Sequence, residues 1–163
     1  MRSEAPIHER TRGVLAYCVG GVWFGARVEE VAGLMQAERP APLPHQRDPL
    51  SGVIAFRGTM VPTFEIGSFL GIDVRPSGQS YAVVLARGND RFGVMVPEMP
   101  RLLPAREIRE AELSTADSES ELAEMVESVF ESGDLRIHCL NYWSIINSIM
   151  PQAGTTPSAA AGG

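Results

Sequence analysis

The sequence predicts a mainly β protein made of two similar five-stranded units. Short apolar runs alternate with glycine-containing turns along most of the 163 residues, as is typical of small β units. The pattern F-G-x-x-V-x-E-[V/M] occurs at Phe24–Val31 and again at Phe92–Met99, 68 residues later. Each copy follows a strand and a turn, and each precedes a second hairpin and a short helix. One such unit buries little surface alone, so we expect the two to pack together.

The first unit contains two hairpins and a short helix. Its predicted elements are the strands Leu15–Val19, Val22–Val28, Gly52–Phe56 and Met60–Phe64 and the helix Ile66–Leu70. Gly20-Gly21 and Arg57-Gly58-Thr59 supply the turns, and Gly71 is a C-cap glycine. The glycine after each repeated Phe suits a tightly coiled barrel strand. The prolines of residues 40–49 predict an extended loop.

The second unit repeats this order of elements. Its predicted elements are the strands Tyr81–Ala86, Arg91–Val96, Val126–Glu131 and Leu135–Leu140 and the helix Tyr142–Met150. Turns containing Gly88 and Gly133 join the strands, and Asn141 can cap the helix. The composition of residues 1–12 and 151–163 predicts flexible tails.

The composition removes many kinds of catalytic chemistry. All 14 basic residues are arginine, so no lysine is available for a Schiff base or a phosphate-binding loop. Cys18 and Cys139 are far apart and the three histidines are scattered, so the chain has no local zinc or dithiol motif. A site assembled only in three dimensions stays open, but few parts remain for one, so the leading expectation is no metal, no cofactor and no enzymatic activity. We expect structural roles for these residue types: the two thiols are buried, His138 is packed or lies at an edge, and the tryptophans lie in the core.

Negative charge is concentrated in one segment. The net charge is −6, and residues 107–131 hold nine acidic side chains against one arginine. This balance disfavours nucleic acids and anionic membrane surfaces as partners. The segment is interpreted either as a solvated loop or helix between strands, or as an electrostatic face for a basic partner. Helical spacing is present at Leu122, Met125, Val126 and Val129.

The chain has no feature of a membrane or secreted protein. No apolar run approaches the roughly 20 residues of a membrane-spanning helix, and the N-terminus lacks an apolar stretch like a signal peptide. We therefore expect a cytoplasmic protein with reduced thiols.

The most informative segment runs from Gly52 to Ile66. An apolar strand ends in Phe56-Arg57-Gly58, and the next strand carries Pro62, which predicts an edge position or a bulge. The segment resembles the strand and turn G-V-[I/T]-x-[L/F]-R-G, followed by V-P-x-x-[D/E]-[L/I], of the CheW-like family of coupling proteins from bacterial chemosensory arrays. Further matches in the same order extend the resemblance over residues 14–150.

This resemblance implies a fold and a function. Family members consist of two SH3-like five-stranded β-barrels packed side by side, which agrees with the internal repeat. They are not enzymes, and they bridge chemoreceptors to the regulatory domain of a histidine kinase, alongside other CheW-like domains. Here the domain would span 13–150, with the first barrel at about 13–80, the second at about 81–140 and a C-terminal helix at 141–150. Recruitment would be to membrane-associated receptor arrays.

The resemblance also implies a set of partner-binding residues. Arg57 matches the turn arginine that the family links to receptor and array binding. The remaining candidates are Phe56, Gly52, Val28, Val31 and Leu34. An exposed arginine can donate several hydrogen bonds at the rim of an interface around small apolar groups. The alternative is a solvated turn for Arg57 and plain core packing for the valines and the leucine.

Three departures from the family pattern favour a second hypothesis. Ala55, Gly67 and Pro97 stand where a polar, a basic and an acidic residue are usual. The protein could therefore be a divergent accessory module that binds one partner and modulates array assembly. A third hypothesis is a small β-barrel enzyme or ligand-binding protein, whose site would form only in three dimensions. Glu65 and Glu98 are its carboxylate candidates, with no nucleophile in the sequence beside them.

Overall fold

A computed structural model describes residues 11–37, 40–42, 50–72, 79–114 and 121–149, and the mainly β prediction is confirmed. The described strands are β1 (Gly13–Val19), β2 (Val22–Arg27), β3 (Val31–Ala37), β4 (Leu50–Phe56), β5 (Thr59–Glu65), β6 (Ser80–Arg87), β7 (Asp90–Val96), β8 (Arg101–Pro104), β9 (Arg109–Ala111), β10 (Val126–Ser132) and β11 (Leu135–Leu140). The helices are α1 (Ile66–Leu70) and α2 (Tyr142–Ile149). Short 3₁₀ turns occupy Val28–Glu30, Ala105–Glu107 and Glu121–Met125. The strands β3, β8 and β9 were not predicted.

Two curled sheets form, and they do not divide the chain at residue 80 as predicted. Sheet 1 has the order β8-β1-β2-β11-β10-β9, and sheet 2 has the order β3-β6-β7-β5-β4. The first hairpin, β1–β2, therefore belongs with the last strands of the chain. The physical reason is the 3₁₀ turn Val28–Glu30, which we call the crossover turn, because it carries the chain from β2 in sheet 1 to β3 in sheet 2. Residues 97–100 carry the chain back from β7 to β8.

The exchange gives the two sheets equivalent pairing patterns. In sheet 1, β2 is parallel to β11, and Gly25 lies opposite Cys139. In sheet 2, β7 is parallel to β5, and Gly93 lies opposite Thr63. Gly25 and Gly93 are the glycines of the repeated pattern. The internal repeat therefore appears as two units that have each given their first hairpin to the other unit's sheet.

Apolar runs in β1 and β6 are explained by burial on both faces. In β1, Leu15 and Tyr17 face a core shared by the two sheets, whereas Val14 and Ala16 face a smaller cluster inside sheet 1. The same alternation divides β6 between the shared core and a cluster inside sheet 2. We call the shared core the central core; its largest side chains are Tyr17, Phe24, Phe64, Phe92, Tyr142 and Trp143.

The helix α2 is fastened to the central core as the sequence suggested. The Ser144 N–H donates to the Asn141 side chain at 3.2 Å, which confirms the predicted cap. The Tyr142 hydroxyl donates to the Gly25 carbonyl oxygen at 2.7 Å and also contacts the hydroxyl of Tyr17. Burial raises the pKa of the Tyr142 hydroxyl well above its usual value. The described residues contain no helix long and apolar enough to span a membrane.

Several smaller expectations are resolved by the packing. His138 is buried and its Nδ1 lies 3.0 Å from the Trp23 carbonyl oxygen, so it is a packed histidine. Gly71 has φ 71° and ends α1, as predicted. Pro62 lies at neither an edge nor a bulge. It lies within β5, an inner strand, where the parallel pairing to β7 begins only at the next residue.

The acidic segment contains two strands where it is described, β9 and the greater part of β10. Val126 and Val129 lie in β10 and pair with β11, so the helical interpretation of their spacing is wrong. Glu121–Met125 forms a 3₁₀ turn, and residues 115–120 lie outside the described residues. Glu131 pairs with both Arg109 and Arg136. Part of the negative charge is therefore balanced within sheet 1.

Residues 1–10 and 150–163, which include most of the predicted tails, also lie outside the described residues.

Close packing of side chains against Gly25 yields a stability prediction. A Cβ on Gly25 would lie 2.5 Å from the Val14 Cγ1 and 2.8 Å from the Ile137 Cγ2. At Gly93, the equivalent glycine, the nearest atom would be the Thr63 Cγ2 at 3.1 Å. We expect Gly25→Ala to lower the free energy of unfolding by about 2–3 kcal/mol and Gly93→Ala by about 1 kcal/mol. Urea denaturation measures both values, and equal losses would contradict the packing described.

Burial also predicts unequal reactivity of the two cysteines. Burial raises the pKa of the Cys139 thiol to about 12, whereas the Cys18 side chain is partly exposed. At pH 8 a thiol with that pKa is ionised on the order of once in ten thousand molecules. We expect iodoacetamide to modify Cys18 and spare Cys139 in the folded protein, with both modified in urea. Mass spectrometry of the folded sample reads the outcome, and equal labelling there would show that β11 is not packed as described.

Candidate partner-binding surfaces

Arg57 occupies a backbone position that normally favours glycine. Four hairpins in the described chain have two-residue turns, and three place glycine first, at Gly20, Gly88 and Gly133, with φ near 60°. The fourth turn places Arg57 there, with φ 52°, and no other described non-glycine residue has a positive φ. A side chain in this left-handed region costs about 1 kcal/mol. A non-glycine residue kept at such a position is a candidate for a functional role of its side chain.

The guanidinium of Arg57 is oriented by an aromatic ring and has no ion-pair partner among the residues that the structure describes. Its central carbon lies 4.8 Å from the centre of the Phe56 ring. The Phe56 ring is buried and covers Gly33 of β3, where a Cβ would lie 2.5 Å from the ring. No carboxylate of the described residues forms an ion pair with Arg57. Phe56 thus holds the arginine in place while its N–H donors stay available.

Gly52 has a structural explanation of its own. Its φ is 135°, and a Cβ there would overlap the carbonyl oxygen of Ala41. Ala41 and Val53 exchange two backbone hydrogen bonds of 2.9 and 2.8 Å beside it. Gly52 is buried, so it shapes the start of β4 and offers no side chain to a partner.

The apolar candidates lie at and beside an edge strand. Val31 and Leu34 are on β3, which ends sheet 2, and both are partly buried against the central core. Val28 begins the crossover turn and is also partly buried. Val31 and Leu34 can therefore pack against the core and also contact a partner, because part of each side chain stays exposed at the edge.

The repeat reveals a second apolar edge that the sequence analysis missed. Leu34 lies opposite Val83, and Leu102 lies opposite Leu15 in the equivalent edge pair of sheet 1. Both members of the pair are shifted by 68 residues, and the same shift relates Val31 to Met99. Met99 and Leu102 are 62% and 60% exposed, among the most exposed large apolar side chains described. Extending the repeated pattern by three residues past Met99 would have identified this edge.

Ion pairs hold the crossover turn, and with it the start of β3. Arg27 donates to Glu30 at 3.0 Å and to Glu127 at 2.9 Å, so it links β2, the turn and β10. Glu29 accepts hydrogen bonds of 2.6 Å from the Thr11 hydroxyl and from the Arg12 backbone N–H. The turn that carries Val28 is therefore anchored on both sides, so Val31 follows it in a defined position.

The described residues give little support to a catalytic centre. Glu65 ends β5 and Glu98 follows β7, and both are exposed. No group of three His, Cys, Asp or Glu side chains that could hold a metal ion occurs in the described part of the chain. The surfaces identified above consist of apolar edges and an oriented arginine, which suits recognition of a protein.

Comparison with known proteins identifies the family to which this fold belongs. The family model of the CheW-like domain matches residues 13–149. No curated protein matches the chain at a significant level. The crystal structure of the scaffolding protein TtCheW from Thermoanaerobacter tengcongensis is similar, with a TM-score of 0.65 and 17% identity over 86% of this chain and 90% of that chain. At that identity the likeness concerns the fold. Because the family match spans most of the sequence, the chain belongs to the CheW-like domain family.

Proposed function

We propose that the protein is an adaptor without catalytic activity that couples methyl-accepting chemoreceptors to a CheA-type histidine kinase in a bacterial chemosensory array. The observation that carries this proposal is Arg57, kept in a left-handed turn position and stacked on Phe56, with no ion pair to a carboxylate in the described ranges. A scaffold of the CheW-like family with such an exposed arginine has the features expected of a protein-binding module. In this account it works in the cytoplasm and is recruited to membrane-associated receptor arrays.

The apolar edges supply the buried part of the receptor contact in this proposal. Val31 and Leu34 on β3, with Met99 and Leu102 at β8, would cover the receptor tip with apolar surface. Both edges lie next to strands of the central core, so a partner seated on them adds to a surface that is already rigid. Arg57 would supply a multi-donor polar contact at the rim.

A second candidate is an accessory module that binds only one of these partners. Ala55 is exposed on β4, so the polar group usual there in the family is missing from an accessible surface. Gly67 is buried in the first turn of α1, and Pro97 directly follows β7, so neither offers the charge usual in the family. These three positions would weaken one contact while leaving the β3 and β8 edges intact.

Binding assays with both partners test the proposal and separate the two candidates. The folded protein is mixed with a purified receptor cytoplasmic tip, with the regulatory domain of the cognate kinase, and with both together. A ternary complex on size-exclusion chromatography supports the coupling function. Binding of one partner alone supports the accessory module, and binding of neither by a folded sample contradicts both.

Replacing Arg57 should separate binding from stability. We expect Arg57→Gly to weaken receptor-tip binding about tenfold while the Tm changes by less than about 2 °C. Relief of the left-handed strain offsets the lost contact with Phe56, because each is worth about 1 kcal/mol. Arg106→Ala, at an exposed arginine of another loop, is the matched control and should change neither quantity. A large fall in Tm for Arg57→Gly would show that Arg57 is structural.

The second apolar edge is tested at Leu102. We expect Leu102→Ser to lower the affinity for the receptor tip about tenfold with little loss of stability, because the side chain is 60% exposed. Leu113→Ser is the control, since Leu113 is 45% exposed but lies after β9, away from the edge. Isothermal titration calorimetry measures both. Equal effects of the two variants, or none for Leu102→Ser, would remove β8 from the binding surface.

A further inference from the structure

Two hairpin turns lie side by side at one end of sheet 2. The parallel pairing of β5 with β7 places Thr63 opposite Gly93, so the strands start at the same level. The β4–β5 turn and the β6–β7 turn are therefore neighbours, and an open groove lies between them. Its lining residues are Phe56, Arg57, Thr59, Met60, Asn89, Asp90 and Arg91.

The groove gathers positive charge in a protein whose net charge is −6. Arg57 is held against Phe56, and Arg91 donates a long hydrogen bond of 3.5 Å to the Gly88 carbonyl oxygen. Neither forms an ion pair with a carboxylate in the described part of the chain, although Asp90 lies in the same groove. By contrast, Arg27, Arg109 and Arg136 pair with glutamates. The two groove arginines thus remain available to an external anion.

An apolar wall accompanies these two cations. Met60 is 61% exposed and lines the groove next to Arg57. An unbranched thioether side chain adapts readily to apolar groups of different shape. A small inorganic anion would leave Met60 uncovered, whereas a peptide can place a carboxylate and an apolar side chain together.

We propose that this groove binds an acidic peptide segment of a protein partner, with a carboxylate on Arg57 and Arg91 and a neighbouring apolar side chain on Met60. The planar guanidinium matches a carboxylate with two parallel hydrogen bonds, and a second arginine adds attraction. The proposal deepens the proposed function, with which it shares Arg57, and adds Arg91, Met60 and the chemistry of the occupant. Asp90 opposes the occupant's charge, so it limits the affinity.

A peptide titration tests the groove without any array partner. The probe is a peptide of about fifteen residues that carries Glu-Leu-Glu within a Gly/Ser chain, and the control peptide carries Gln-Leu-Gln. We expect saturable shifts of the Arg57 and Arg91 Nε–H signals in NMR spectra with the first peptide only, and no shift at Arg106. Equal shifts with the control peptide, or with inorganic phosphate at the same concentration, would overturn the proposal.

Two variants at the groove are predicted to change the affinity for the acidic peptide in opposite directions. We expect Arg91→Ala to weaken the acidic peptide about fivefold and Asp90→Asn to strengthen it about twofold, while Arg106→Ala has no effect. Weaker binding by Asp90→Asn, or unchanged binding by Arg91→Ala in a folded protein, would contradict the groove. Failure here with intact ternary assembly removes the groove and leaves the proposed function standing. Peptide binding without binding of the receptor tip or the kinase domain would support the groove and contradict the proposed function.

Discussion

The exchange of hairpins between the two sheets is the constraint on which the rest of the structure depends. Each repeated unit places its first hairpin in one sheet and its later strands in the other, so neither sheet is complete without both units. The shared aromatic core lies where the sheets meet, and Phe24 and Phe92, the repeated phenylalanines, are both buried in it. Burial of this size is the main favourable term in folding. Because the exchanged strands supply that core, we expect the two sheets to unfold as one cooperative unit.

The exchange also determines what the surface can offer. Each crossing between sheets ends in an edge strand, β3 after the first crossing and β8 after the second. Leu34 and Leu102 thereby take equivalent places beside the central core. Ion pairs of Arg27 hold the first crossing, so the edge that follows it is positioned before any partner arrives. A pre-positioned edge loses little conformational entropy on binding, which favours recognition of a protein partner.

The sequence predicted the hairpins well because their signals are local. Glycine turns bounded strands whose ends were right to within about two residues, and the repeat identified Gly25 and Gly93 as places of close approach. The sheet partners were not predictable in the same way, since periodicity reports burial and not the strand that causes it. The strand β3 contains Gly33 and has no clear alternation, and β8 is a short strand that ends in a proline. Arg57 was identified from its motif, but its left-handed backbone and its stacking on Phe56 required coordinates.

The central claim of the proposed function is that both edge strands that follow the crossings, β3 and β8, contact the receptor tip. Hydrogen exchange of the full chain, with and without a saturating receptor tip, tests it most directly. The account predicts that amides of β3 and β8 slow together, while amides of β9, the outer strand of sheet 1 on the side away from β8, are unchanged. Slowing of β3 alone, or of neither edge in a sample that binds the tip, would contradict it.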